Sequence, residues 1–191
     1  MGKVMRSRAT QVAASALLAG AVTGCAGGIV SPTDVGGSYD SRMLNYVAGK
    51  GDLYTRVIGN PFKADKAALE SAVTGTMYGA HFGQPIRFNT ARNPENTSPY
   101  HVVVLFNPSR PVTAAQICAD PAGQPTNAAG AGLRVVMTFC SSDYYETSVS
   151  GQLGQARGPD DPAFRALIRQ MTTEMLPPRN PDPNGGVDFN S

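Results

Sequence analysis

Residues 101–106 read HVVVLF, an unbroken apolar run after its histidine with three β-branched residues in a row. Successive side chains of a strand point to opposite faces, so this run is best read as a strand covered on both faces. Residues 133–140, LRVVMTFC, read as the next strand, and 147–153, starting near Tyr144 or Tyr145, as a third beside it. A fourth is LYTRVIG, 53–59, bounded by Asp52 and by Gly59-Asn60-Pro61. Between the first two lies a loop, 107–132, with only a helical turn around 114–117. Loops of this length in a compact domain need either a tie or a task.

Three stretches carry helical spacing. Met43, Leu44, Val47 and Ala48 suggest a short helix over 41–48; its rival is a strand in a hairpin through 49–52. A helix is expected over 62–79, with Asn60 as cap, Pro61 in the first turn, and Phe62, Leu69, Val73 and Met77 on the buried face. The last, over 161–176, is capped by Asp161 and opened by Pro162, and it buries Phe164, Leu167, Ile168, Met171 and Met175. Residues 83–99 read as loop. The order α-β-α-β-β-β-α predicts an α+β fold: a single sheet of about four mainly antiparallel strands, two longer helices packed on one face, and one long loop. At 191 residues, without an internal repeat, one domain is expected.

The N-terminus carries Lys3, Arg6 and Arg8 and then an apolar run over 12–22, too short for a spanning helix of about 20 residues. Val22-Thr23-Gly24-Cys25 follows it and resembles the lipobox of bacterial lipoproteins. That resemblance implies a signal peptide over 1–24, cleavage before Cys25, and a lipid on the Cys25 sulfur. It implies a bacterial cell-envelope location, lipid-anchored and facing the periplasm. Ala26 rather than Asp after the cysteine resembles the outer-membrane sorting pattern more than the inner one. With 25 so used, Cys118 and Cys140 remain as a pair in an exported chain, and a disulfide stapling the long loop is expected; the alternative is two buried thiols. Residues 25–38 then read as a flexible tether, 39–177 as the α+β domain, and 178–191 as a disordered tail. The body resembles uncharacterised proteobacterial lipoproteins in GKGDLYTRVIGNPF and in the two cysteines after VVVLFNP. That likeness implies no known activity.

The net charge of +2 belongs to the N-terminus: removing Lys3, Arg6 and Arg8 leaves 13 basic against 14 acidic residues, or −1. Without a basic surplus or a Lys/Arg-rich run, no nucleic-acid partner is expected. The sequence contains no G-x-S-x-G elbow. A Ser/His/Asp set drawn from His81 or His101, Ser141 or Ser142, and Asp143 has no local motif behind it, so no catalytic residue is assigned. The two histidines lack ligand spacing, and no Gly-rich loop links a strand to a helix, so neither a metal nor a cofactor is expected.

What remains is a candidate recognition surface. SSDYYETS, 141–148, puts Tyr144 and Tyr145 on opposite faces of a strand, one of them open to a partner. Arg87 and Arg92 in RFNTARN could meet an anion or a glycan. The functional expectation is a lipid-anchored envelope protein, non-enzymatic, serving as a structural, assembly or partner-binding accessory to an envelope protein or cell-envelope component. The alternatives are a small envelope hydrolase and a small-ligand-binding lipoprotein with its pocket under the 107–132 loop.

Overall fold

A computed structural model describes residues 28–127, 130 and 132–182. The lipobox, Cys25 and the signal segment lie outside the described residues, as do 183–191 of the expected tail. The elements in chain order are β1 (Ile29–Val30), β2 (Asp34–Val35), α1 (Arg42–Gly49), β3 (Asp52–Ile58), α2 (Lys66–Met77), β4 (Arg87–Asn89), β5 (Tyr100–Phe106), α3 (Ala114–Ala119), β6 (Leu133–Ser141), β7 (Tyr144–Leu153) and α4 (Pro162–Met175). The α+β class holds, but the sheet is larger than expected and mixed. Among the described residues it has seven strands in the order β1-β7-β6-β5-β3-β4, with β2 also on β7. β5, β6 and β7 form an antiparallel meander, while β3 pairs in parallel with both β4 and β5.

The parallel pairs follow from α2. A helix between two strands brings the chain back to the same end of the sheet, so the next strand runs in parallel. β4 arises where only loop was expected, because Arg87-Phe88-Asn89 gains its regularity from β3: Phe88 opposes Leu53 and shares its buried face.

β5 buries both faces, as its composition demands. Val102, Val104 and Phe106 join the larger core with α1, α2 and α4, while Val103 and Leu105 join a second cluster with Ile117, Cys118 and Cys140. The two longer helices share the first face. The 107–127 segment covers the centre of the other through α3, whose start is fixed by a reciprocal capping box between Thr113 and Gln116. The Cys118–Cys140 disulfide is present, with Cα atoms 5.7 Å apart, and ties α3 to the end of β6.

Several boundaries are set by local contacts that the residue pattern does not show. α2 begins at Lys66, not 62, because Asp65 accepts from Ala68 N at the N-cap while Asn60 closes a loop on both backbone groups of Ala64. Phe62 still reaches the core, edge-on to Phe164 with ring centroids 5.1 Å apart. The hairpin alternative for 41–48 gives way to helix α1. The described part of the expected tether is not a tether: β1 and β2 lie in tandem along β7, pairing Ile29 with Gln152 and Val35 with Thr147. The polar composition that suggested flexibility instead supplies edge contacts, with Ser31 Oγ accepting from Ser150 N at 2.9 Å and Gly36 N donating to Glu146 O at 2.7 Å. The start of the expected disordered tail is also held. Tyr39 Oη donates to Pro177 O at 2.5 Å, and Asn180 Nδ2 to Tyr39 O at 3.4 Å.

Candidate functional site

Register on the face opposite the long helices builds one continuous row. Asn89 opposes Tyr54, Tyr54 opposes His101, His101 opposes Cys140, and Cys140 opposes Tyr145. Side chains opposite one another across a ladder point the same way, so these residues share a face with Val103 and Leu105 two and four positions along β5. One residue pair further along, Arg56 opposes Val103. The buried disulfide therefore forms the floor at the centre of this row. On its β3 side stand Tyr54 and Arg56, half-buried. Arg92 lies over the Tyr54 ring, its guanidinium carbon 5.3 Å from the centroid, a cation–π placement.

The loop that delivers Arg92 is organised by its asparagines. Asn89, Asn93 and Asn96 each accept from the backbone N–H two residues on, at 3.0 Å, and the Asn96 amide donates to Asp52 O at 2.8 Å. Such Asx turns fix a loop without periodic structure. On the other side of the row, the β6–β7 turn at 142–143 is held when Ser142 N donates to Pro99 O at 2.9 Å. Tyr144 beyond it is 77% exposed, whereas Tyr145 packs against the disulfide cluster.

Burial holds the His101 imidazole below the usual histidine range; the Pro99 carbonyl pulls the other way, Arg56 and Arg92 add to the depression, and Asp143 counters it. At neutral pH the ring is neutral and flanked by fixed cations. Burial, and then Asp34, raise the Tyr145 phenol above the ordinary tyrosine value, so it stays protonated and able to donate. A neutral imidazole, two guanidiniums and an aromatic plane on a rigid sheet suit hydrogen bonding and stacking with an anionic or planar polar group.

The sequence-derived residues divide. Arg92, Tyr144 and Tyr145 do border this one end of the sheet. Arg87 does not join Arg92; it lines a shallow cleft with Ser71, Thr74 and Tyr78 at the β4 edge. His81 is a structural residue, its Nδ1 facing Phe82 O at 3.0 Å and its Nε2 accepting from Ile86 N at 3.1 Å. Among the described residues, neither imidazole forms a hydrogen bond with a Ser, Cys or carboxylate side chain, so Ser141, Ser142 and Asp143 are not assembled into a triad. Among the same residues there is no group of three or more His, Cys, Asp or Glu able to hold a metal ion. No described helix is long and apolar enough to cross a membrane. The space under the 107–127 segment is an open groove of mixed polarity, where Val112 and Val136 sit beside Asp34, Arg134 and Ser148. Tyr54 and Arg56 went unremarked in the sequence, although alternation along DLYTRVI already places them together on the face opposite Leu53 and Thr55.

In class the molecule is a single-sheet α+β protein with a disulfide-floored polar-aromatic face. No known family's sequence profile matches the chain, and no curated protein matches it. Among solved structures, the dodecamer of a single-substitution variant of PelC from Paraburkholderia phytofirmans superposes with a TM-score of 0.41 at 12% identity, over 78% of this chain and 98% of that one. A second PelC dodecamer structure from the same organism gives 0.39 at 13% identity, over 79% and 96%. Superposition at this level does not carry assembly, ligand or location from one chain to the other.

Proposed function

We propose that this chain is a lipid-anchored protein of the bacterial cell envelope, non-enzymatic, that serves as a structural, assembly or partner-binding accessory. It receives an envelope partner on the Tyr54–Arg92–His101 face. The anchor is Cys25 of the lipobox-like Val22-Thr23-Gly24-Cys25, and the domain faces the periplasm, on the outer rather than the inner membrane. The Cys118–Cys140 bond is the observation that supports export most directly, because disulfides persist in oxidising compartments and are rare where glutathione keeps thiols reduced. The accessory role is supported by the chemistry of the exposed face. Among the described residues His101 has a backbone partner, the Pro99 carbonyl, and no hydroxyl, thiol or carboxylate side chain hydrogen-bonded to it, whereas nucleophilic catalysis requires a nucleophile paired with its base.

Cys25→Ser tests the anchor. The wild-type chain is expected in the membrane fraction with an acyl label, and the variant in the soluble fraction without one. Recovery of the variant in the membrane pellet with intact acyl labelling sinks the proposal.

A further inference from the structure

We infer that the loop end of the sheet beside Gly28 is a membrane-contacting surface for anionic lipid headgroups, and that the Tyr54–His101 face is thereby held at the far end, away from the bilayer. This rests on the proposed lipid at Cys25 and goes beyond it. The key observation is that β1 begins almost immediately after that cysteine. Gly28 is packed so closely that a Cβ there would lie 2.7 Å from Leu167 Cδ1 and 3.0 Å from Gln152 O. The next residue, Ile29, is paired with Gln152 on β7. Cys25 precedes Gly28 by three residues, a span of at most about 11 Å even when fully extended. A lipid on Cys25 therefore cannot let the domain tumble; it must draw the Gly28 end of the molecule to the membrane surface.

Strand registers identify which residues share that end. Leu133 opposes Leu153, Phe106 opposes Val135, and Ile58 opposes Leu105. The segments that leave these strand ends, 59–64, 107–111 and 154–160, thus lie together with Gly28. Lys63, Arg110 and Arg157 on them are exposed, and among the described residues none forms an ion pair. The carboxylates of the same end are engaged: Asp65 and Asp161 cap α2 and α4, and Asp160 pairs with Arg165. Ile29, beside them, is 75% exposed and offers an apolar contact. Cations outside any ion pair, next to an exposed isoleucine, match an anionic headgroup layer in charge. At the opposite end, Tyr54 opposes His101 and Ser141 opposes Tyr144. Leu153 lies eight positions beyond Tyr145 on β7, about 27 Å at the rise of an extended strand.

The test uses the full acylated chain, first weighed by mass spectrometry and then followed by amide hydrogen exchange in detergent and in vesicles of mixed phosphatidylethanolamine and phosphatidylglycerol. Exchange at 59–64, 107–111 and 154–160 is expected to slow on vesicles, with 89–101 and 142–145 unchanged. A charge-reversed Lys63→Glu, Arg110→Glu, Arg157→Glu variant should lose most of that protection. So should a chain with a long Gly/Ser insert after Gly27, while both keep the acyl mass. An acylated wild type with no protection at the loop end, or with protection at 89–101 instead, overturns the orientation while leaving the anchor standing. A chain purified from membranes without the acyl mass overturns the anchor, and the orientation with it.

Discussion

His101 is neutral because the fold buries it between guanidiniums, and that has a measurable sign. Its folded pKa is depressed below the ordinary histidine value, so the unfolded chain binds more protons through that window. Its contribution to stability is present above the unfolded pKa of about 6.5 and is lost as pH falls through the folded value. Urea midpoints of wild type and His101→Gln, compared between neutral and mildly acidic pH, should show wild type losing more on acidification; equal losses would remove this account of the ring. The sequence offered HVVVLF as a buried strand and left the role of its histidine open. What decides that role is register: only when β5 pairs with β3 and β6 does His101 fall between Tyr54 and Cys140. A bulge between Phe139 and Cys140, invisible in the residue pattern, then sets which β7 residue continues the row.

Elements with strong internal signals were legible, and those made by their neighbours were not. α4 is announced by Asp161-Pro162 and its apolar stripe, and it forms where expected. β6 and β7 follow their β-branched runs. By contrast β1 and β2 have two residues each and exist only because β7 offers an open edge. Their docking depends on close backbone approach: a Cβ at Gly36 would lie 2.2 Å from Tyr145 O, whereas at Gly37 nothing lies within 4 Å. Gly36→Ala should therefore destabilise the domain by about 1–3 kcal/mol, as overpacking does, and speed exchange of the β2 amides. Gly37→Ala, as the control, should leave both near wild type. Equal behaviour of the two variants would show that the strap is not fixed by that contact.

At the scale of the whole molecule, the disulfide joins the cover of one sheet face to the strand that also lines the larger core. Cys118 and Cys140 are 22 residues apart, and closing such a loop contributes about 3 kcal/mol in the chain-entropy picture. Replacing both by alanine should lower the free energy of unfolding by that order under oxidising conditions, with the difference vanishing in reductant; a loss that persists in reductant would point to packing instead. The edges of the sheet carry a different consequence. On one side the boundary strand is the three-residue β4, and on the other it is broken into β1 and β2 by Ser31-Pro32-Thr33. Among the described residues neither border presents a long, flat row of unsatisfied amides and carbonyls, which is what a second sheet needs in order to add on. A molecule built this way can be crowded to high density without seeding fibrils from its own rim, and removing Pro32 to fuse the two short pieces would be the simplest way to forfeit that safeguard.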